Sequence, residues 1–352
     1  MIAAMFRVDS IQITQEMLST IAEIDEFKGA WRALGTLAPE RLSSLRKVAT
    51  IESIGSSTRI EGARLSDREV EALLGRIGVQ PLLTRDEQEV AGYADVMEMI
   101  FASHAEIPVT ESHILQLHSH LLRYSEKDER HRGRYKTLTN RVEAFDSSGK
   151  SIGVIFETST PFDTPRHMGE LLSWYQSALE SDMHPLIAGG VFVVVFLAIH
   201  PFQDGNGRLS RALTTLLLLR SGYGYVPYSS LESIVEQNKE GYYLALRRTQ
   251  GTLRDDAPDW APWLTFFLRS LQKQKRRLAE KVEREHLLRS NLPESSLRII
   301  ELISTHGRLG VADLERLTGA PRGTVKLHLS NLVKAGYLAR IGRARATLYT
   351  LK

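Results

Sequence analysis

One stretch constrains the fold more than any other. From Leu186 to Ile199, within Pro185-Leu-Ile-Ala-Gly-Gly-Val-Phe-Val-Val-Val-Phe-Leu-Ala-Ile199, there is no polar side chain. The stretch falls short of the ~20 apolar residues that span a bilayer. A helix that is apolar around its whole circumference belongs at the centre of a domain, so the neighbouring segments must wrap it. The chain has material for this: 352 residues, 42% of them hydrophobic, enough for two or three domains. The net charge of +3 excludes a polycation. There is no cysteine, which excludes disulfides and thiolate metal sites and suits a reducing compartment. The start, Met-Ile-Ala-Ala-Met-Phe-Arg, lacks the basic start and sustained apolar run of a signal peptide. The expectation is a soluble, cytoplasmic protein with no membrane partner.

Helical spacing of apolar residues predicts helices over Ser43 to Ile54, Thr84 to His104, Glu111 to Tyr124, Pro165 to Glu180, Pro185 to Ile199 and Arg208 to Leu219. Between them, Thr137 to Val142 and Ile152 to Phe156 are β-like. They flank the turn-rich Asp146-Ser-Ser-Gly-Lys150, so a β-hairpin is expected over Thr137 to Phe156. A long amphipathic helix follows from Trp263 through a run of mixed charge, which reads as a solvated face. Asn291-Leu-Pro-Glu294 breaks it. The expected domains are an N-terminal helical region at 1–110, a catalytic domain at 111–255, a helical linker at 256–292 and a separate module at 293–352. The fold class is mainly α.

The chemistry concentrates in His200-Pro-Phe-Gln-Asp-Gly-Asn-Gly-Arg-Leu-Ser-Arg211. A glycine-rich loop opening a helix presents backbone N–H groups at the positive end of the helix dipole, which suits an anion. Arg208 and Arg211 are three apart and reach the same side of that helix start. Two guanidinium groups beside an anion nest suit a polyphosphate. Asp204 is a hard oxygen ligand of the kind that holds Mg²⁺ between phosphates. His200, at the edge of the loop, can take a proton near neutral pH. Together these residues form a phosphoryl- or nucleotidyl-transfer site. The loop is not a Walker A motif, because no Lys-Ser/Thr follows the glycines.

This segment resembles the Fic family signature, His-Pro-Phe-x-Asp-Gly-Asn-Gly-Arg-x-x-Arg, at every fixed position. The resemblance extends over roughly Ser43 to Gln250. It implies an all-helical Fic fold with a β-hairpin flap, and transfer of AMP from Mg-ATP to a Ser, Thr or Tyr hydroxyl of a target protein. It implies His200 as the base, Asp204 as the Mg²⁺ ligand and Phe202 as the core anchor of the loop. Gly205, Asn206 and Gly207 would form the anion hole for the α- and β-phosphates. Arg208 would bind phosphate and Arg211 the γ-phosphate. Doc-like relatives, which act as kinases, carry a lysine variant of this loop; the Gly-Asn-Gly-Arg form here favours adenylyl transfer. The hairpin would hold the target by strand addition. Asn238, Tyr242 and Tyr243 resemble the adenosine-pocket segment, and the tyrosines read equally well as helix core. A homodimer is also expected.

Upstream, Ser56-Ser-Thr-Arg-Ile-Glu-Gly62 resembles the family's inhibitory motif, Ser/Thr-x-x-x-Glu-Gly/Asn. Ser57 and Glu61 are an (i, i+4) pair on one helix face, and Gly62 closes the motif. In the family this glutamate pairs with the second arginine of the signature, here Arg211. A carboxylate there removes the γ-phosphate's partner and adds a like charge where that phosphate should sit. The chain therefore resembles the self-inhibited class with an N-terminal motif.

After Pro293 the character changes. Ser295 to Ser304, Val311 to Leu317 and Pro321 to Lys334 read as three helices, with Pro321 at a helix start. Tyr337 to Thr350 alternates like a two-stranded wing. This resembles a winged helix-turn-helix. The segment carries ten Lys and Arg against four Asp and Glu. On a DNA-binding reading, Arg322, Thr324, Lys326 and His328 face the major groove, and Arg343 and Arg345 the backbone or minor groove. Protein docking is the competing use of such a module. Two further readings of the whole chain stay open: removal of AMP by the same site, with Glu61 aligning a water, and a DNA-binding regulator whose Fic site senses nucleotide.

Overall fold

The computed structural model describes residues 6–33, 39–145, 151–290, 292–342 and 347–351. It divides into two compact units, Met1–Arg277 and Leu278–Lys352. The first holds α1 (Gln15–Ala33), α2 (Pro39–Ile60), α3 (Asp67–Leu74), α4 (Arg85–Ser103) and α5 (Glu111–Leu121). A hairpin of β1 (Arg141–Phe145) and β2 (Ser151–Glu157) follows, then α6 (Thr164–Glu180), α7 (Pro185–Ile199), α8 (Asn206–Arg220), α9 (Leu231–Gln237), α10 (Lys239–Gln250) and α11 (Ala261–Ser290). The second unit contains α12 (Glu294–His306), β3 (Leu309–Gly310), α13 (Val311–Thr318), α14 (Arg322–Lys334), β4 (Leu338–Ile341) and β5 (Leu348–Leu351). The divide falls within α11. Among the described residues, no helix is long and apolar enough to cross a membrane.

Helix α7 is the axis of the first unit. Pro185 sits at its start, where a missing N–H costs nothing, and every residue from Leu186 to Ile199 is buried. Helices α6, α8 and α10 pack around it. The Trp263 indole donates to the Gly190 carbonyl at 2.7 Å, fastening α11 to the same axis. Local chemistry sets the neighbouring helix starts. The Thr84 hydroxyl accepts from the Glu87 amide at 3.2 Å, and the Glu87 carboxylate accepts from the Thr84 amide at 3.0 Å. This capping box starts α4, and Ser66 with Glu69 starts α3 in the same way.

Helix α2 and the hairpin differ from expectation in their bounds. Helix α2 begins earlier and runs on to Ile60, so Ser57 lies in its last turn and Glu61 just beyond it. The strand expected from Thr137 begins only at Arg141, because the side chains of Lys136 and Asn140 are committed to the loop after α7. The hairpin is antiparallel, pairing Arg141 with Glu157 and Val142 with Phe156, with irregularities after Val142 and Ala144. Its expected tip, Asp146 to Lys150, lies outside the described residues.

The second unit closes its own core from Ile299, Ile303, Leu314, Val325, Leu329, Leu332 and Leu338. Its sheet has three strands in the order β3-β5-β4 rather than two, because Leu309 and Gly310 add to the edge of β5. Arg343 and Arg345 lie outside the described residues. The fold is thus mainly α: a helical unit with a β-hairpin, followed by a module of three helices and a small three-stranded sheet.

Candidate active site

The loop between α7 and α8 is built by side chains that replace the missing helix hydrogen bonds. His200 ends α7 in the left-handed region, at φ 53° and ψ 60°. Its amide donates to the Phe196 carbonyl at 2.9 Å. Phe202 is fully buried and stacks on His118, with ring centroids 3.7 Å apart. The Asn206 side chain closes the loop on itself, accepting from the Phe202 amide at 2.9 Å and donating to the Phe202 carbonyl at 2.8 Å. Asn140 donates to that same carbonyl at 2.8 Å. The His118 Nε2 lies 3.0 Å from the Asp204 carbonyl, and the Gly133 amide donates to its Nδ1 at 3.1 Å. Helix α8 then starts at Asn206 with no side-chain cap. Its first N–H groups therefore face the loop mouth and make an anion site.

The charged side chains converge there. Asp204 Oδ1 accepts from the Gly205 amide at 2.5 Å and lies 3.2 Å from Arg208 Nη2. Burial opposes its charge, but Arg208 and the Gly205 amide hold its carboxyl below the usual range. Arg85 Nη2 lies 3.5 Å from its Oδ2. Arg208 is almost fully buried and also faces Glu89, 3.4 Å away. The Nε and Nη1 of Arg208 and the Nη1 of Arg211 are buried and make no hydrogen bond. Such donors beside a helix start suit phosphate oxygens. Among the described residues no cluster of three acidic or histidine side chains could cage a metal alone. Asp204 as a single hard ligand instead fits Mg²⁺, which takes most of its shell from water and phosphate.

His200 Nδ1 lies 3.3 Å from the Leu197 carbonyl. A carbonyl only accepts, so the ring proton sits on Nδ1 and Nε2 keeps its lone pair. Burial, and after it the positive charge of Lys136, holds this histidine down to about 4. It is therefore neutral at pH 7 and able to accept a proton.

Ser57 and Glu61 meet Arg211. The Arg211 Nε donates to the Ser57 hydroxyl at 2.9 Å, and its Nη2 to the Ser57 carbonyl and to Glu61 Oε1, both at 2.8 Å. Gly62 adopts φ +106°, which only glycine takes without strain. This lets the chain leave α2 immediately after Glu61. The Glu61 carboxylate lies so close to Gly207 that a methyl group there would collide with it. The acid thus rests against the anion site itself.

Asn238 and Tyr242 line different cavities. Asn238 lines a groove of about 510 Å³ between α10 and α11, with Leu244, Arg248 and Phe266. Tyr242 is buried against Trp263 and Phe266 and lines a separate cavity of about 30 Å³ beside Arg211. Tyr243 stacks edge-on to Tyr242. The core reading of Tyr242 is the one the packing supports.

In the second unit the proposed DNA-facing set is also split. Residues two apart on a helix are turned by about 200°. Arg322 and Lys326 are exposed on one side of α14, whereas Thr324 and His328 are half-buried. The His328 Nδ1 lies 2.7 Å from the buried Ser296 hydroxyl on α12. His328 is thus tied to α12 through its Nδ1. Sequence reading missed His118, Lys136 and Asn140, which hold the loop, Glu89, which faces Arg208, and Thr158, which bonds Lys136 and Asn140; these contacts span distances along the chain that no spacing rule covers.

Comparison with known proteins agrees with this geometry. Residues 108–218 match the model of the Fic/DOC family, and residues 294–342 match the IclR helix-turn-helix domain. The chain is 28% identical over 251 residues to the protein adenylyltransferase Fic of Drosophila virilis, covering 69% of this chain and 48% of that protein. It is 27% identical to the Drosophila willistoni protein of the same name, covering 66% and 44%. The chain thus spans about half the length of these curated relatives. A crystal structure of a Fic family protein from Desulfovibrio desulfuricans superposes with a TM-score of 0.65 at 26% identity, over 98% of both chains. A Fic domain-containing signalling protein from Bacteroides thetaiotaomicron gives 0.59 at 25% identity, over 72% of this chain and 94% of that one.

Proposed function

We propose that this chain transfers AMP from Mg-ATP to a hydroxyl of a target protein, and that Glu61 restrains it. One observation carries the reading. A helix start without a side-chain cap is flanked by two buried arginines with spare donors, a single acid suited to Mg²⁺, and a neutral histidine with Nε2 open. The Drosophila adenylyltransferases, similar over most of this chain, support it.

In this reading Nε2 of His200 takes the proton of the target hydroxyl. The hydroxyl oxygen forms a bond to the α-phosphorus, the bond from that phosphorus to the bridging oxygen of the β-phosphate breaks, and pyrophosphate leaves. Gly205, Asn206 and Gly207 offer backbone donors to the phosphates, and Arg208 stabilises charge developing on the leaving group. Mg²⁺ bound at Asp204 would neutralise phosphate charge. The β1–β2 hairpin holds the target backbone as an added strand. With Glu61 on Arg211, the γ-phosphate finds its partner occupied and a like charge in its place, so ATP binds with its phosphates misplaced.

The test is incorporation of α-labelled phosphate into lysate proteins by the full chain. Glu61→Gly should raise it roughly 5- to 150-fold, the usual span of one coupling interaction. His200→Ala in that background should lower it by about 100-fold or more. Label that does not rise with Glu61→Gly removes the restraint. Label that survives His200→Ala removes the transfer mechanism. Release of AMP from a modified target by the unaltered chain would mark the reverse reaction instead.

We also infer that the second unit binds DNA. The match to the IclR helix-turn-helix and the exposed Arg322 and Lys326 support this.

A further inference from the structure

One residue outside the signature grips the catalytic loop on both sides of His200. Lys136 is only 2% exposed, and a buried ammonium demands partners. It has three protons and three acceptors: the Ile199 carbonyl at 3.1 Å, Asn140 Oδ1 at 2.8 Å and the Thr158 hydroxyl at 2.9 Å. Its own backbone amide donates to the Pro201 carbonyl at 2.9 Å. The carbonyls immediately before and after His200 are thus both held by one residue. Between them His200 sits at φ 53°, the one non-glycine residue with positive φ among those described. That region crowds Cβ against the backbone, so a histidine stays there only when its neighbours are held.

The other two acceptors are the two ends of the hairpin. Asn140 immediately precedes β1 and Thr158 immediately follows β2. They are joined directly as well, since the Thr158 hydroxyl donates to the Asn140 carbonyl at 2.8 Å. Asn140 in turn holds the Phe202 carbonyl. The root of the hairpin and the histidine loop are therefore one hydrogen-bonded body, with the ammonium at its centre.

We propose that Lys136 is the positioning residue of this site, holding His200 in its left-handed conformation and coupling it to the root of the β1–β2 hairpin. Its ammonium is fully engaged within the protein, so it acts through His200. Its consequences for turnover rest on the AMP-transfer reading; its hold on His200 does not. The charged groups facing His200 are Lys136 from the segment before β1, Glu61 from the turn after α2, and Asp204 from the loop itself. Lys136 is the cation among them. Burial pulls its ammonium down to about 8, so it is still charged at pH 7. Beside burial, this charge disfavours a proton on His200 and keeps Nε2 available.

The experiment follows His200 directly, by NMR titration of its imidazole in the full Glu61→Gly chain, with His200→Ala assigning the signal. Lys136→Met should raise the midpoint by about one pH unit, and the acidic limb of the pH–turnover profile should rise with it. Turnover on the target should fall roughly 10- to 100-fold through misplacement of the base, with KM for ATP nearly unchanged. Lys136→Arg should restore much of both. Should the Met variant not fold, Lys136→Gln still removes the charge while keeping donors, and the same rise in midpoint is expected. An unmoved His200 midpoint in the Met or Gln chain overturns the proposal, whatever happens to AMP transfer. A shifted midpoint in a chain with no transfer activity leaves the proposal standing and refutes the reading of function.

Discussion

At the scale of single residues, His118 shows how much of this site is support. Its ring lies flat on Phe202, it receives a hydrogen bond from the Gly133 amide, and it gives one to the Asp204 carbonyl. Those two bonds have opposite sense, so only the neutral tautomer with its proton on Nε2 satisfies both, and burial holds the ring down to about 4. His118→Phe keeps the stack and removes both hydrogen bonds, stranding a part-buried amide and a part-buried carbonyl. At about 1–3 kcal/mol for each stranded group, the chain should lose roughly 2–6 kcal/mol, read as an earlier urea midpoint. The Asp204 backbone is also freed, so the Mg²⁺ concentration that half-saturates AMP transfer should rise. A variant with parent-like urea and Mg²⁺ midpoints would refute the supporting role. The signature residues themselves were legible in the sequence because chemistry requires those types at those spacings. His118 was not: its partners lie 15 and 86 residues away, and a histidine on the buried face of a helix looks like any other core position.

Among the elements, α2 is the one on which the proposed restraint depends. Its last turn is pinned by Arg59, which clasps the Glu236 carboxylate of α9 with two hydrogen bonds, at 2.7 and 3.0 Å. Arg59 also pairs with Asp67 of α3 at 2.9 Å and donates to the Leu65 carbonyl at 2.9 Å. Glu61 follows two residues later, so whatever holds Arg59 also holds the acid on Arg211. Arg59→Ala should loosen that turn and raise basal AMP transfer severalfold, less than Glu61→Gly does. It should also cost about 1.5–3 kcal/mol of stability, the range for hydrogen bonds to charged groups. If it acts through Glu61, the double variant will be no more active than Glu61→Gly alone. A double variant more active than Glu61→Gly, or an Arg59→Ala chain at the parent's basal rate, defeats the idea. The helices themselves were largely readable: α7 from its unbroken apolar run, and α4 from the Thr84 and Glu87 capping box. Helix α1 is marked only faintly, by Met17, Ile21 and Ile24, which fall at helical spacing and are buried. Helix α3 was overlooked although Ser66-x-x-Glu69 announces its start. β-Propensity alone starts the hairpin too early because it ignores tertiary demand: the Lys136 and Asn140 side chains are held by each other and the loop.

For the molecule as a whole, the sequence marks its change of character at Asn291-Leu-Pro-Glu294, while the packing divides inside α11, at Arg277 and Leu278. A charged amphipathic helix gives no compositional sign of where one core ends and the next begins, since its apolar stripe runs on through Leu278 and Val282. The second unit has its own core and its own surface charge, and the DNA reading can be tested there without reference to the first. Arg322 and Lys326 lie one turn apart on the exposed side of α14. If they contact phosphates, the full chain should bind duplex DNA with an affinity that falls steeply with salt, log K declining by about 0.9 per log salt for each phosphate neutralised. Replacing either residue with alanine should flatten that slope by about one, and replacing both should approach a loss of two. His328→Ala should behave differently, because its ring is engaged with Ser296 within the unit: the slope should stay and the thermal midpoint should drop. His200→Ala, remote in chemistry from this surface, should leave the DNA titration unchanged. Retention on DNA that ignores salt, or a slope unmoved by the double substitution, would assign this unit to protein docking instead, because basic side chains at a DNA backbone necessarily release counterions.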